Sequence, residues 1–183
     1  IPEEQMEAIK QCEYVWVSHG HPDHLSIRSL NLLKEKNILL GDHVGGRIDG
    51  DLRRMGFNVQ VLRDREWTNL SAHLNVMCVT DYNQDSLLLV DIGGNLLVNL
   101  NDMTAKGWGP LVQKTVRQFK RSYLLQGFGY GDADMINFVD EAGNRVSPPG
   151  STGEGIGKAI SRVAHTYGVT HVIPFSSLHK YQR

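Results

Sequence analysis

At 183 residues the chain is long enough for one domain with a substantial core, since folds of this size bury roughly 70% of their extended-chain surface. The formal net charge is −1, so no global field draws it toward nucleic acid or an anionic membrane, and a small-molecule substrate is the expected partner. Two cysteines, Cys12 and Cys78, without CxxC spacing, exclude a disulfide framework. No window approaches the ~18–20 apolar residues of a membrane span and no signal-peptide pattern opens the sequence. A cytoplasmic location is expected by elimination, and the oligomeric state is left open.

The first third predicts alternating helix and strand. Pro2–Gln11 is a helix, with Glu3 and Glu4 in the first turn where the dipole favours negative charge. Tyr14–Val17 is an apolar run that reads as a buried strand. Ser26–Glu35 is a second helix capped by Ser26, with Ile27, Leu30 and Leu33 on one side. A strand Asn37–Leu40, a Gly-rich turn, a helix near Ile48–Met55 and a strand Asn58–Leu62 follow. Short connections between such elements indicate an α/β layer arrangement.

The middle changes character. Ala72–Thr80, Ser86–Ile92 and Asn95–Leu100 are strands in close succession, the last two separated by the turn signal Gly93-Gly94. Pro110–Phe119 is a helix, Ser122–Leu125 a strand, Gly153–Tyr167 a helix and His171–Pro174 a strand. With no repeat, low-complexity tract or linker, a single domain over residues 1–183 is expected.

Ser18-His19-Gly20-His21-Pro22-Asp23-His24 places three imidazoles and a carboxylate directly after a predicted buried strand. From the chain's own composition, H-x-H-x-D-H arises by chance roughly once in a thousand such sequences. Imidazole is the most versatile ligand for zinc and iron, and close-packed imidazoles repel when protonated. A cation justifies the arrangement.

This string resembles the signature of the metallo-β-lactamase superfamily. The resemblance implies an α/β fold, a four-layer αβ/βα sandwich with a metal pair at one edge. Asn101-Asp102, after the strand Leu96 to Leu100, sits where that family has its metal-bridging aspartate, and His179 where it has its last histidine. Asn99-Leu100-Asn101-Asp102 and the Phe-Ser-Ser…His ending look most like the branch holding ascorbate-6-phosphate lactonases and CMP-N-acetylneuraminate hydroxylase. By that resemblance His19 and His21 hold one ion, Asp23 and His24 the other, Asp102 bridges them and His179 completes the second site. Two divalent ions are implied, zinc first, with iron or manganese as alternatives.

Two features depart from the family. One more histidine is usual for the first ion, but the corresponding stretch reads Thr80-Asp81-Tyr82-Asn83-Gln84-Asp85-Ser86. Asp81 is the preferred substitute by spacing, with Asp85 and His73 as alternatives. A carboxylate there hardens the site toward iron or manganese. The family also opens with several strands before its metal loop, whereas 18 residues precede His19 here. The expectation is a fragment lacking its N-terminal strands, whose absence would leave a sheet edge uncovered.

Other features carry less. Gly41-Asp42-His43-Val44-Gly45-Gly46 lacks the endings of a phosphate loop and reads as a turn, with His43 able to face the site. Tyr130, in Gly127-Phe128-Gly129-Tyr130-Gly131-Asp132, is a candidate substrate donor. Trp16, Trp67 and Trp108 read as core or pocket wall, and Arg53, Arg54, Arg117, Lys120 and Arg121 as solvated surface that could include an anion contact. No G-x-S-x-G elbow supports serine catalysis.

The expected function is metal-assisted hydrolysis of a small polar ester, lactone or phosphoester. Paired cations lower the pKa of a bound water toward neutrality, with Asp23 and Asp102 as catalytic carboxylates. A di-iron oxygenase on the same fold and a non-catalytic metal-binding subunit are the alternatives.

Overall fold

A computed structural model describes residues 2–103, 107–127, 139–144, 146 and 156–175. The chain forms two compact units, Ile1–Gly93 and Gly94–Arg183. Their boundary falls within Gly93-Gly94, where both glycines adopt positive φ that residues with a Cβ rarely take.

The first unit begins with α1 (Glu3–Gln11) and β1 (Tyr14–Val17). The next helix, α2 (Ile27–Leu30), is a single turn continued by a 3-10 turn at Asn31–Leu33. Ser26 caps it as expected, its Oγ accepting the Ser29 N–H at 3.3 Å. The α-helical part is shorter than the spacing predicts, ending at Leu30. The chain then tightens before entering the next strand. β2 (Asn37–Gly41), α3 (Arg47–Arg54) and β3 (Asn58–Leu62) follow. The three strands make a parallel sheet, order β1-β2-β3, with Val17 beside Leu40 and Leu40 beside Val61.

The alternation of β2 explains how the unit is layered. Ile38 and Leu40 point to one face and join Val17, Leu30, Leu52, Phe57 and Val59 in a core beneath the helices. Leu39 points to the other and packs with Leu62, Val76, Cys78 and Leu88. The latter three belong to an antiparallel meander of β4 (Trp67–Ser71), β5 (Leu74–Thr80) and β6 (Ser86–Ile92). β4 has no counterpart in the sequence reading. Its residues alternate between exposed and half-buried and it pairs within this meander only with β5, so it lacks the apolar run that marks a covered strand.

The second unit holds β7 (Asn95–Asn99), α4 (Gly109–Val116), β8 (Arg121–Gly127), α5 (Ile156–Tyr167) and β9 (His171–Phe175). Its strands run parallel, β7-β8-β9. Trp108 stacks on Tyr167 with ring centroids 5.8 Å apart, and the Gln113 amide donates to Thr166 O at 2.7 Å, tying α4 to α5. Among the described residues no helix is long and apolar enough to cross a membrane.

Candidate metal centre

β1 delivers Ser18 and His19 at its C-terminal end, both buried. The chain then turns tightly: the backbone N–H groups of His24 and Leu25 both reach back to His21 O, at 3.0 and 2.7 Å. Gly20 matters to that corner, because a Cβ there would stand 3.1 Å from Ile48 Cδ1 of α3. The turn folds the three imidazoles onto one another. The rings of His19 and His21 meet edge-on at 4.5 Å, and those of His19 and His24 at 4.2 Å.

His19 Nε2 and His21 Nδ1 are 2.8 Å apart. Two nitrogens bound to one ion at about 2.0–2.1 Å would stand roughly 2.9–3.4 Å apart for angles between 90° and tetrahedral, so the pair has nearly the spacing of two ligands of one cation. His24 Nε2 lies 3.3 Å from Asp23 Oδ2, which pairs an imidazole with a carboxylate beside the first two rings. Ring nitrogens of His19 and His24 come within 4.8 Å of each other. This donor set, nitrogen-rich with one hard oxygen, fits a divalent transition ion.

What stands behind His19 fixes its tautomer. Its Nδ1 lies 3.0 Å from Ser18 Oγ and 3.2 Å from Asp85 Oδ1. A carboxylate only accepts, so Nδ1 carries the proton and Nε2 presents a lone pair toward His21. Carboxylate backing of this kind is how metal-binding histidines are oriented and made more basic.

Asp81 and Asp85 occupy the same turn, between β5 and β6, in different ways. Asp81 Oδ1 accepts the backbone N–H groups of Asn83 at 2.8 Å and Asp85 at 3.0 Å, closing the turn on itself. Within the first unit it is therefore Asp85 that touches the histidine cluster. His73 lies in the turn before β5, at the end of that strand opposite Asp81, about 25 Å away for eight steps of extended chain.

Sequence reasoning missed how the strand end is held. Ser18 O accepts from Ser86 Oγ at 2.6 Å and from His43 Nε2 at 3.1 Å. His43 follows β2 as His19 follows β1, and that parallel placement was the available signal. Burial pushes the His43 imidazole below the ordinary histidine range, opposed by its bond to Ser18 and by Asp85, Asp81 and Asp42. The neutral ring thus donates through Nε2, and its buried Nδ1 has no hydrogen-bond partner. Gly41 makes room for this packing: a Cβ there would meet Thr80 Cγ2 at 2.7 Å and Cys78 Sγ at 3.0 Å.

In the second unit, Asp102 lies just past β7, after Asn101, which holds a left-handed φ of 50°. The Asn101 N–H donates to Asn99 Oδ1 at 3.1 Å, and Leu100 N–H to Leu125 O at 3.0 Å, so this strand end is well anchored. His179 and Tyr130 lie outside the described residues.

No protein-family profile matches the chain. Among curated proteins, it is 29% identical over 119 residues to a cytidine monophosphate-N-acetylneuraminic acid hydroxylase of Danio rerio, covering 60% of this chain and 20% of that protein. The Sus scrofa hydroxylase of the same name is 25% identical over 122 residues, 62% of this chain and 28% of its own length. The chain thus spans between a fifth and three tenths of these relatives. Among solved structures, a variant of the CmlA β-hydroxylase superposes with a TM-score of 0.63 at 14% identity, covering 94% of this chain and 38% of that one. CmlA is described as a diiron β-hydroxylase from Streptomyces venezuelae. A metal-dependent hydrolase from Parabacteroides distasonis, so assigned without established activity, gives 0.57 at 10% identity, covering 93% and 68%. YhfI from Bacillus subtilis, described as a metallo-β-lactamase fold protein, gives 0.54 at 12%, covering 94% and 69%.

Proposed function

The chain has the metallo-β-lactamase fold, and on that premise we propose that it is the metal-binding part of a binuclear enzyme that hydroxylates a small organic molecule. The observation that carries the reading is the close approach of His19 Nε2 and His21 Nδ1, with Asp85 behind the first ring. By the family resemblance His19 and His21 would hold one ion and Asp23 and His24 the other, with Asp102 and His179 as the further ligands expected from the rest of the chain. Asp85 orients His19 from the turn in which Asp81 is engaged as a cap. When bound, such a pair supplies redox chemistry as iron, or Lewis acidity for hydrolysis as zinc or manganese.

Iron and oxygen chemistry is preferred because the donor set includes a carboxylate, Asp23 beside His24, and oxygen donors favour harder ions. The names of the sequence relatives and of CmlA support the same choice. Hydrolysis is the second reading, supported by the solved neighbour described as a hydrolase. In either case the chain's own residues act alike. Ser18, held by His43 and Ser86, sets the strand end; Asp85 keeps the His19 proton on Nδ1; Asp23, exposed beside His24, is placed to hold a proton.

Elemental analysis of protein expressed without added metal tests this. Two irons per chain, lost in His19→Ala, are expected; two zinc or manganese ions would move the assignment to hydrolysis. A protein without metal would overturn both. Asp102→Ala is expected to leave at most one ion and to abolish turnover, and full activity with one ion would remove the bridging role.

A further inference from the structure

Between the His19-Gly20-His21 corner and α3 lies a cavity of about 660 Å³, within the range of small-molecule sites. The imidazoles form part of its lining. α3 contributes apolar Ile48, together with Arg47 and Arg54, and the residue that caps its C-terminus contributes apolar Met55. The consecutive arginines of α3 have divided roles. Arg53 donates to Asp49 and to Val59 O, both at 2.6 Å, and does not line the cavity. Arg47 and Arg54 do line it, and both pair with the same carboxylate, Asp51, Arg47 Nε at 3.8 Å and Arg54 through Nη2.

Two guanidinium groups sharing one carboxylate leave an excess positive charge on that wall. Asp51 is the sole acidic side chain lining the cavity among the described residues. A guanidinium offers paired N–H donors that match the oxygens of a phosphate or carboxylate, and here a second wall is apolar.

We propose that this cavity receives the substrate of the metal centre, and that the substrate is a small organic oxyanion whose phosphate or carboxylate head meets Arg47 and Arg54. Its apolar body lies along Ile48 and Met55, which leaves the reacting end toward His19 and His21. The proposal rests on the metal-dependent reading above for what happens to the substrate, but not for how it is held. Because Arg47 and Arg54 are 90% and 78% exposed, solvent and salt screen them, so the arginines mainly capture and select while the apolar wall adds affinity.

Phenyl phosphate, benzoate and phenol, titrated into the metal-loaded full chain and followed by calorimetry and by the methyl NMR signals of Ile48 and Met55, test it. One or both anions should move those methyls and bind at least about tenfold more tightly than phenol, and the stronger of the two identifies the head group. Arg47→Gln combined with Arg54→Gln should weaken anion binding about tenfold while leaving phenol binding and metal content unchanged. Arg63→Gln, an exposed arginine that does not line the cavity, should change nothing. Phenol binding as tightly as the anions, methyl shifts elsewhere, or a double variant with unaltered affinity would overturn the proposal. The two readings fail separately. Anion binding that persists in metal-free His19→Ala protein keeps this site without the metal centre, and bound metal with no arginine effect does the reverse.

Discussion

β1 and β2 lie side by side as parallel strands, and each ends in a loop carrying histidine, yet the two loops differ in every physical respect that matters. After β1, three imidazoles crowd one another and the shortest nitrogen–nitrogen approach is 2.8 Å. After β2, the loop's single histidine, His43, is buried and hydrogen-bonded to a backbone carbonyl. That histidine is committed through Nε2 to the carbonyl and acts as a structural brace. His19 and His21 instead face each other through ring nitrogens at hydrogen-bond distance, and a cation could take both as ligands. The second loop serves the first, because the carbonyl it holds belongs to Ser18, the residue before His19.

The largest test of that contrast removes a ligand from the first loop. His19→Ala should lower bound metal by at least about tenfold, measured by elemental analysis, whereas His43→Gln should retain it. If both lose metal equally, the distinction between the loops fails. Next is the carboxylate behind His19. Asp85→Asn should weaken metal binding about 10–100-fold in a competitive chelator titration, the usual effect of removing such a partner. Asp81→Asn preserves an acceptor for the turn and should stay within about threefold; an equal loss would restore Asp81 as a ligand.

A smaller effect concerns the brace. His43→Ala removes one donor from Ser18 O and opens space in a buried region, which should cost about 1–3 kcal/mol in denaturant unfolding of the metal-free protein. pH sharpens this. With the folded pKa of His43 below its unfolded value of about 6.5, the neutral ring's contribution is fully present above that pH. It is lost as pH falls through the folded value. Metal-free wild-type protein should therefore lose more stability between pH 8 and 5.5 than His43→Gln.

The smallest effect is chemical. Burial pushes the Cys78 thiol up to about 11, so it stays protonated at pH 8 and should resist iodoacetamide until the protein unfolds. Half-buried Cys12 should react sooner by mass spectrometry.

Much of the first unit was legible because its signals are local. β1, β3 and β6 begin and end where their apolar runs do, and Ser26 caps the helix it precedes. β4 was not legible, since a half-solvated strand carries no apolar run. α2 was overextended because three-residue spacing of Ile27, Leu30 and Leu33 suits a 3-10 turn as well as an α-helix, and the chain takes the tighter form from Asn31.

For the centre, the sequence by itself determined the inventory: His19, His21, Asp23 and His24 within six positions at a strand end, a spacing that turn geometry converts into proximity. Tertiary structure decided which distant groups attend them. Asp85 rather than Asp81 touches His19 because Asp81 spends its Oδ1 on the backbone of its own turn. His43 and Ser86 converge on Ser18 O because β2 and β6 come together there, a meeting of residues 25 and 68 positions away that no local pattern encodes. Arg54 reaches the cavity while Arg53 turns to Val59 for the same kind of reason: consecutive helix residues point about 100° apart, and only the packing of α3 assigns each a side.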